Sequence, residues 1–204
     1  EQEEVHKTIS RSLHSEKPKP ILLHGITGSG KTEVYLQATR TALKLGKNVI
    51  ILVPEISLAP QTVQRFKARF HDLTDQIAIL HSNLSQGERF DEWHRIRAGK
   101  ARIVIGARSA IFAPVKDPGL IIVDEEHEPA YKQENPPKYH ARDLAVVRCN
   151  LEKCTVVLGS ATPSLETFQN TQLKKYQIVK MTERADGASL PLTRVVDMRI
   201  EAKK

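Results

Sequence analysis

Short apolar runs alternate with longer segments of helical periodicity along the chain. The apolar runs predict buried strands at Ile21–Leu23, Val49–Val53, Ile77–Leu80, Arg102–Ile105, Leu120–Asp124, Thr155–Leu158 and Gln177–Met181. The segments with apolar residues three or four positions apart predict helices at Glu1–Leu13, Thr32–Leu45, Ala59–Phe70, Ser85–Ala98, Ala141–Asn150 and Leu165–Gln169. Strands that alternate with helices predict a mostly parallel sheet with helices on both faces, so the predicted fold class is α/β.

Two segments escape this pattern. The stretch Pro129–His140 carries prolines and tyrosines without either period, and the segment after Glu183 ends in charge. With 204 residues, the chain is long enough for one large domain with an ample core. We therefore expect a single folded unit over residues 1–183, followed by a segment of different character over 184–204.

Charge and cysteine content place only weak limits on the partners, metal sites and location of the protein. The net charge of +7 favours a polyanionic partner, although a basic surface also serves solubility. Cys149 and Cys154 are too few for a disulfide framework or a full zinc site, so we expect buried or reduced thiols. No apolar run approaches the ~18 residues that span a bilayer, and Glu1–Glu4 is unlike a signal peptide. We therefore expect a cytoplasmic protein, and the missing initiator Met suggests a piece of a longer one.

A phosphate-binding loop follows the first predicted strand. The stretch G-I-T-G-S-G-K-T reads G-x-x-x-x-G-K-[ST], between an apolar strand and a helix, as the motif requires. Its glycines allow backbone N–H groups to point at phosphate oxygens, and the helix start adds a positive dipole end. Lys31 is expected on the β- and γ-phosphates and Thr32 on Mg²⁺. The predicted nucleotide-binding residues are Gly25, Thr27, Gly28, Ser29, Gly30, Lys31 and Thr32. The alternative is a glycine-rich turn that binds no ligand. It does not explain why all fixed positions of the motif are present between a predicted strand and a predicted helix.

Acidic residues close the fifth predicted strand. Asp124-Glu125-Glu126-His127 is expected at the edge of the sheet where ligands bind. We predict that Asp124 holds a metal ion and that Glu125 orients and deprotonates the attacking water. Lys31, Asp124 and Glu125 are thus the predicted catalytic residues. A solvated acidic turn is the alternative.

A third segment, Gly159-Ser160-Ala161-Thr162-Pro163, follows the sixth predicted strand. Its hydroxyl groups could bond to the acidic turn and to a moving backbone. Taken alone, the segment is an ordinary turn between a strand and a helix.

In this order the three motifs resemble the first, RecA-like motor lobe of superfamily 2 helicases. Longer stretches are similar to one family within it, the PriA replication-restart helicases. These stretches are GITGSGKTEVY (25–35), VPEISL (53–58), GARSA (106–110), DEEH (124–127), YKQ (131–133), YHARDLA (139–145) and GSATP (159–163). The resemblance covers nearly the whole chain.

The resemblance implies further site residues. Gln2 would recognise adenine, although it could also be a surface glutamine. His127, Ser160 and Thr162 would couple nucleotide hydrolysis to movement. The residues implied in DNA binding are Pro54, Glu55, Arg108, Ser109, Tyr131, Lys132, Tyr139 and His140, the last four in an aromatic-rich loop. Bases stack on flat rings while cations meet the phosphate backbone. Arg108 could instead be a structural ion-pair partner, and residues 135–137 could form only a rigid turn.

The resemblance also implies an ATP-dependent 3′–5′ DNA helicase that restarts stalled replication forks and promotes primosome assembly. Its cofactors would be ATP and Mg²⁺, with zinc only in a part absent from this chain. Its partners would be single-stranded and forked DNA, the single-stranded DNA-binding protein and helicase-loading proteins, all in the nucleoid.

The chain lacks the arginine motif of a second motor lobe, such as Q-x-x-G-R-x-G-R. We therefore expect one lobe that hydrolyses ATP poorly alone, with residues 184–204 leading toward the second lobe. A phosphotransferase or nucleotide switch is a competing hypothesis, although the N-K-x-D motif of GTPases does not occur. A nucleic-acid-binding module with a vestigial phosphate loop is another.

Overall fold

A computed structural model describes residues 1–54 and 60–185, which form a seven-stranded parallel sheet with helices on both faces. The helices are α1 (Gln2–Leu13), α2 (Lys31–Lys44), α3 (Pro60–Arg69), α4 (Gln86–Arg97), α5 (Ala141–Glu152) and α6 (Leu165–Gln172). The strands are β1 (Ile21–Gly25), β2 (Asn48–Leu52), β3 (Ile77–Leu80), β4 (Ile103–Gly106), β5 (Pro118–Val123), β6 (Lys132–Gln133), β7 (Tyr139–His140), β8 (Thr155–Ser160) and β9 (Gln177–Met181).

The order of strands in the large sheet is β3-β4-β2-β5-β8-β1-β9, and each neighbouring pair is parallel. The predicted α/β class and all seven predicted strands are confirmed, with ends that differ by a few residues. Strand β1 continues to Gly25 because it pairs with β8 on one side and β9 on the other. Strand β5 ends at Val123, so Asp124 is the first residue beyond it.

The stretch 129–140 has structure that its sequence does not predict. A 3₁₀ turn at Pro129–Tyr131 leads into β6, which pairs antiparallel with β7. Two further 3₁₀ segments, His71–Gln76 and Arg108–Phe112, were also absent from the predicted elements. Segments of three to six residues are too short to display a helical period.

Alternation along the strands divides the core into two layers. In β2, Val49 and Ile51 face a layer shared with α1 and α2, whereas Ile50 and Leu52 face the other layer, shared with α5. All four side chains are at most 1% exposed, and full burial of such a side chain contributes about 1.5–3 kcal/mol. The two cysteines are free and buried in the layer of α5, as predicted.

The strand order positions the predicted motifs. Strands β5, β8 and β1 are neighbours, so the segments that follow them meet at the carboxyl edge of the sheet. Those segments are the phosphate loop, the acidic turn and the Ser160–Thr162 segment.

The predicted DNA-binding residue Glu55, the predicted start of a helix at Ala59 and the segment 186–204 lie outside the described residues. Within the described ranges, no helix has both the length and the apolar character needed to cross a membrane.

Candidate functional site

The phosphate loop has the close backbone packing that its glycines predict. Gly28 and Gly30 adopt φ values of 81° and 90°, which disfavour any residue with a Cβ. A Cβ on Gly30 would lie 2.2 Å from Nε2 of Gln2, and one on Gly25 would lie 2.7 Å from Oγ of Ser29. Ser29 is 2% exposed, and its Oγ has no hydrogen-bond partner among the described residues. Since buried hydroxyl groups are normally satisfied, the loop fits a ligand that supplies polar atoms.

Lys31 begins α2 directly after this loop. It is 9% exposed, and its Nζ donates to the carbonyl oxygen of Gly25 at 2.8 Å. The same Nζ lies 3.8 Å from Oε1 of Glu125. The ammonium group therefore lies between the phosphate loop and the acidic turn, where a phosphate would meet both.

The loop and the acidic turn face one cavity of about 920 Å³. Residues 27–33 form one wall, and Asp124 and Glu125 form another. Basic side chains from α3 and the turn after it, which the sequence analysis did not single out, also line the cavity: Arg65, Arg69 and His71. A cavity of this size suits a nucleotide-sized ligand.

Gln2, which the resemblance implies in adenine recognition, lies beside the phosphate loop. Its Nε2 donates to the carbonyl oxygen of Ser29 at 3.2 Å. The preceding Glu1 carboxylate accepts hydrogen bonds from Thr182 and from the backbone N–H of Glu183. Two residues later, the N–H of Ala185 donates to the carbonyl oxygen of Gly28 at 2.9 Å. The start of α1 and the segment after β9 therefore hold the loop from two sides.

Two tyrosine hydroxyl groups hold Asp124. Tyr35 donates to its Oδ1 at 2.9 Å, and Tyr131 donates to its carbonyl oxygen at 2.6 Å. Burial and the adjacent Glu125 raise the pKa of Asp124 to about 6. Burial also raises the pKa of Tyr35 well above its usual value, so this hydroxyl keeps its proton and acts as a donor. In the sequence, Tyr35 stands only at the end of the stretch 25–35 that resembles the family, and no local pattern links it to Asp124, which is why its role was missed.

This raised pKa leads to a prediction about stability. A carboxyl group whose pKa is higher in the folded state loses stabilisation as pH rises through the folded value. We expect Asp124→Asn, which keeps Oδ1, to stabilise the protein by roughly 1–3 kcal/mol at pH 7. The gain should shrink toward pH 4, where Asp124 is protonated in the folded state. Denaturant unfolding between pH 4 and pH 7 measures this, with the exposed Asp91→Asn as control. Equal gains at both ends of the range would contradict the prediction.

The predicted coupling residues lie together. Oγ of Ser160 is 2.7 Å from Nδ1 of His127, and Oγ1 of Thr162 is 3.3 Å from Nε2. Nδ1 of His127 also lies 3.7 Å from Oε2 of Glu125. Glu125 itself has a φ of 45°, a costly left-handed conformation for a residue with a Cβ. The imidazole therefore joins the carboxylate of a strained turn to Ser160, the last residue of β8, and to Thr162 beyond it.

Part of the predicted DNA-binding set lines a second cavity, of about 270 Å³, at the carboxyl ends of β2 and β4, whereas Lys132 and His140 lie outside its lining. Pro54, Arg108, Ser109 and Tyr139 line it. The guanidinium of Arg108 donates to the carbonyl oxygen of Lys132 at 2.6 Å and to that of Ala130 at 3.2 Å. It also lies 6.0 Å from the centre of the Tyr139 ring. Arg108 thus holds the backbone of the loop rather than an acidic partner.

The loop residues differ in accessibility. Lys132 is exposed, and its Nζ lies 3.7 Å from Glu134. Tyr139 is half-buried and contacts Phe112 edge-on at 5.0 Å. Burial and nearby Arg142 lower the pKa of His140, so its imidazole is neutral at pH 7. These positions fit stacking by Tyr139 and charge contact by Lys132 better than a cationic role for His140.

The prediction for Tyr131 needs correction. Its ring is completely buried in the layer of α5, and its hydroxyl donates to Asp124. A ring without an exposed face cannot stack on a base. The 3₁₀ turn at Pro129–Tyr131 directs the ring inward, which the composition of the loop could not indicate.

Comparison with known proteins agrees with this geometry. The DEAD/DEAH box helicase family matches residues 2–171. Replication restart protein PriA of Bacillus subtilis (strain 168) is 49% identical over 203 residues, which cover all of this chain and 25% of that protein. The PriA of Chlamydia pneumoniae is 50% identical over 205 residues, again covering the whole chain and 27% of the relative. The chain thus spans about a quarter of the length of these relatives.

Solved structures share the fold. RecG bound to a three-way DNA junction is similar with a TM-score of 0.66 and 25% identity, over 99% of this chain and 26% of RecG. The Hef helicase domain of Pyrococcus furiosus gives a TM-score of 0.64 at 20% identity, over 91% of this chain and 38% of that one. The RecA-like lobe expected from the sequence is therefore confirmed. With the family match over residues 2–171, the chain belongs to the DEAD/DEAH box helicases.

Proposed function

We propose that this chain is the ATP-binding lobe of an ATP-dependent DNA helicase that acts in replication restart. The observation that carries the proposal is the position of the Glu125 carboxylate, which lies within 4 Å of Lys31 Nζ on one side and of His127 Nδ1 on the other, at one edge of the sheet. The similarity of the whole chain to PriA proteins supports the assignment to replication restart.

In this proposal the phosphate loop binds the triphosphate of ATP. Backbone N–H groups of residues 27–32 and the Lys31 ammonium bind phosphate oxygens, and the unpartnered hydroxyl of Ser29 gains a partner. Gln2, held at the loop by its bond to Ser29, recognises adenine. The nucleotide bound in this proposal is therefore ATP, because Gln2 would select adenine over other bases.

Thr32 and Asp124 would hold Mg²⁺, because hydroxyl and carboxylate oxygens are the ligands this ion prefers. Both hydrogen bonds to the Asp124 carboxylate engage Oδ1, and the described residues include none to Oδ2. The described ranges contain no group of three or more His, Cys, Asp or Glu side chains that could hold a metal, and Mg²⁺ usually binds one or two carboxylates besides phosphates and water. When bound, the ion would neutralise charge on the phosphates.

Glu125 would orient and deprotonate the attacking water, with its carboxylate held between Lys31 and His127. His127 then passes a change at the γ-phosphate to Ser160 and Thr162 through its two ring nitrogens. Arginines from a second lobe would complete catalysis, since an arginine finger contributes ~10³–10⁵ in rate. Residues 1–183 would form this first lobe and 184–204 would lead to the second.

Single-stranded DNA would pass over the second cavity. Tyr139 supplies a ring for stacking, while Lys132 and Arg108 meet phosphates and Pro54 and Ser109 shape the path. Glu55 is included from the resemblance alone. By the same resemblance, the protein would unwind DNA 3′ to 5′ at stalled or collapsed replication forks. Its protein partners would be the single-stranded DNA-binding protein and the primosome and helicase-loading proteins, and its location would be the cytoplasm, in association with the nucleoid. The resemblance implies zinc only in a region of such helicases that this chain does not contain.

The test uses the longer protein, by which we mean a protein that contains this chain together with the proposed second lobe. Its ATP turnover is measured with and without single-stranded DNA. We expect DNA to stimulate turnover and Arg108→Ala to raise the DNA concentration for half-maximal stimulation about ten-fold, equivalent to ~1.4 kcal/mol. Arg11→Ala, which removes an exposed charge from α1, is the matched control and should behave as wild type. Phosphate transfer to an acceptor other than water, or turnover indifferent to DNA, would contradict the proposal.

A further inference from the structure

The third residue of the acidic turn is a fully buried charge. Glu126 is 0% exposed, in contrast to the partly exposed Asp124, Glu125 and His127 around it. The third residue of the D-E-A-D or D-E-A-H motif that gives the family its name is alanine, whereas this chain has glutamate at the corresponding position. A buried carboxylate is costly unless it is paired and hydrogen-bonded, so its presence requires an explanation.

Glu126 is hydrogen-bonded through both oxygens to the start of α6. Oε1 accepts from the backbone N–H of Ser164 at 2.7 Å. Oε2 accepts from the hydroxyl groups of Ser164 at 3.0 Å and Thr167 at 2.9 Å. Ser164 is the N-cap residue of α6, so the carboxylate fixes the point at which this helix begins.

Arg142 supplies the opposite charge from the other side. It lies two residues after β7, at the start of α5, and is 8% exposed. Its NH1 is 3.3 Å from Oε2 of Glu126 and donates to Oγ of Ser164 at 2.7 Å. The guanidinium therefore touches the carboxylate and the helix cap at once.

This pair connects three segments that the proposed function treats separately. Glu126 follows Glu125 directly, Arg142 follows the end of the loop at 129–140, and Ser164 follows the Ser160–Thr162 segment. The N–H of Glu126 also donates to the carbonyl oxygen of Gly159 at 2.9 Å. A displacement of the loop end thus reaches Glu125 through one buried ion pair.

We propose that Glu126 and Arg142 are positioning residues that transmit the occupancy of the DNA-contacting loop to Glu125. The inference rests on the proposed function and goes beyond it, because neither residue touches the nucleotide cavity or the DNA cavity. Movement of the loop shifts Arg142. The Glu126 carboxylate, which is paired with Arg142, moves with it and changes the orientation of the strained turn at Glu125.

The test compares Glu126→Gln, Arg142→Met and the double variant in the longer protein. Glutamine keeps an oxygen for the N–H of Ser164 but loses the charge, and methionine keeps the unbranched apolar stem of arginine without its charge or its N–H donors. We expect each single variant to lower DNA-stimulated turnover at least five-fold more than turnover without DNA. The loss of DNA stimulation in the double variant should be smaller than the product of the two single losses, because both single variants remove the contact between Glu126 and Arg142. Arg142→Met alone also removes the hydrogen bond to Asp143. Glu152→Gln removes a carboxylate that pairs with Arg148 on the exposed side of α5 and should leave the ratio unchanged.

A structural role alone would lower the melting temperature and reduce both rates in equal proportion. Thr167→Val, which removes one bond to Glu126 without uncovering charge, provides a milder variant should Glu126→Gln fail to fold. Folded variants with a wild-type ratio of the two rates would overturn this inference alone. A wild-type protein without DNA stimulation would overturn the proposed function and, with it, this inference.

Discussion

Replacement of Glu125 by glutamine is expected to lower ATP turnover by roughly 10²–10⁴-fold, the usual contribution of a general base. The carboxylate lines the nucleotide cavity, with Oε1 3.8 Å from Lys31 and Oε2 3.7 Å from His127. Glutamine has nearly the same shape but cannot accept the proton of the attacking water. Binding of ATP should survive, because the phosphate loop itself is unchanged.

Single-turnover hydrolysis with saturating ATP and DNA measures this effect without interference from product release. Glu128→Gln removes a carboxylate three residues further along, outside the residues that line the cavity, and should retain wild-type turnover. A Glu125→Gln variant with turnover within three-fold of wild type would show that another group takes the proton.

Gly159→Ala is expected to destabilise the protein by about 3 kcal/mol, at the upper end of the range for overpacked cores. An added Cβ would lie 1.7 Å from the hydroxyl oxygen of Tyr35 and 2.9 Å from its Cζ. Tyr35 is 2% exposed and its hydroxyl is bonded to Asp124, so the ring has no free space to occupy. Either β8 shifts, or the hydrogen bond to Asp124 breaks and the carboxylate of Asp124 moves.

Thermal unfolding should show a decrease of roughly 6–12 °C in the melting temperature of a domain of this size. Gly87→Ala is the matched control, since a Cβ there meets nothing within 4 Å and alanine favours the helix. Tyr35→Phe combined with Gly159→Ala should recover part of the loss, because it removes the closest atom. A melting temperature unchanged in Gly159→Ala alone would mean that Tyr35 repacks freely.

Local patterns predicted the parts of the site that depend on adjacent residues. The phosphate loop needs only a strand, a fixed spacing of Gly25, Gly30 and Lys31, and a helix, all within one stretch. The meeting of this loop with Asp124 and Ser160 also followed from the sequence, because parallel strands place their carboxyl ends at one edge. The strand order makes β5, β8 and β1 neighbours, in agreement with that reasoning.

Contacts between distant side chains could not be predicted in the same way. Tyr35 and Asp124 are 89 residues apart, and Glu126 and Arg142 are 16 apart across an irregular loop. Their pairing depends on how α2 and α5 pack on opposite faces of the sheet. The inward ring of Tyr131 likewise depends on a 3₁₀ turn of three residues, which leaves no period in the sequence.

The chain leaves β9 next to the phosphate loop, and this has a mechanical consequence. Ala185 is bonded to the carbonyl oxygen of Gly28, and Thr182 and Glu183 are bonded to the carboxylate of Glu1. A pulling force on the chain beyond Ala185 would therefore act first on the hydrogen bonds to Gly28 and Glu1. The sheet would bear the force only afterwards, because β9 is paired with β1 along its whole length. Conversely, a ligand that stiffens the loop would resist such tension, so the proposed nucleotide and a pulling force would act on the same few hydrogen bonds.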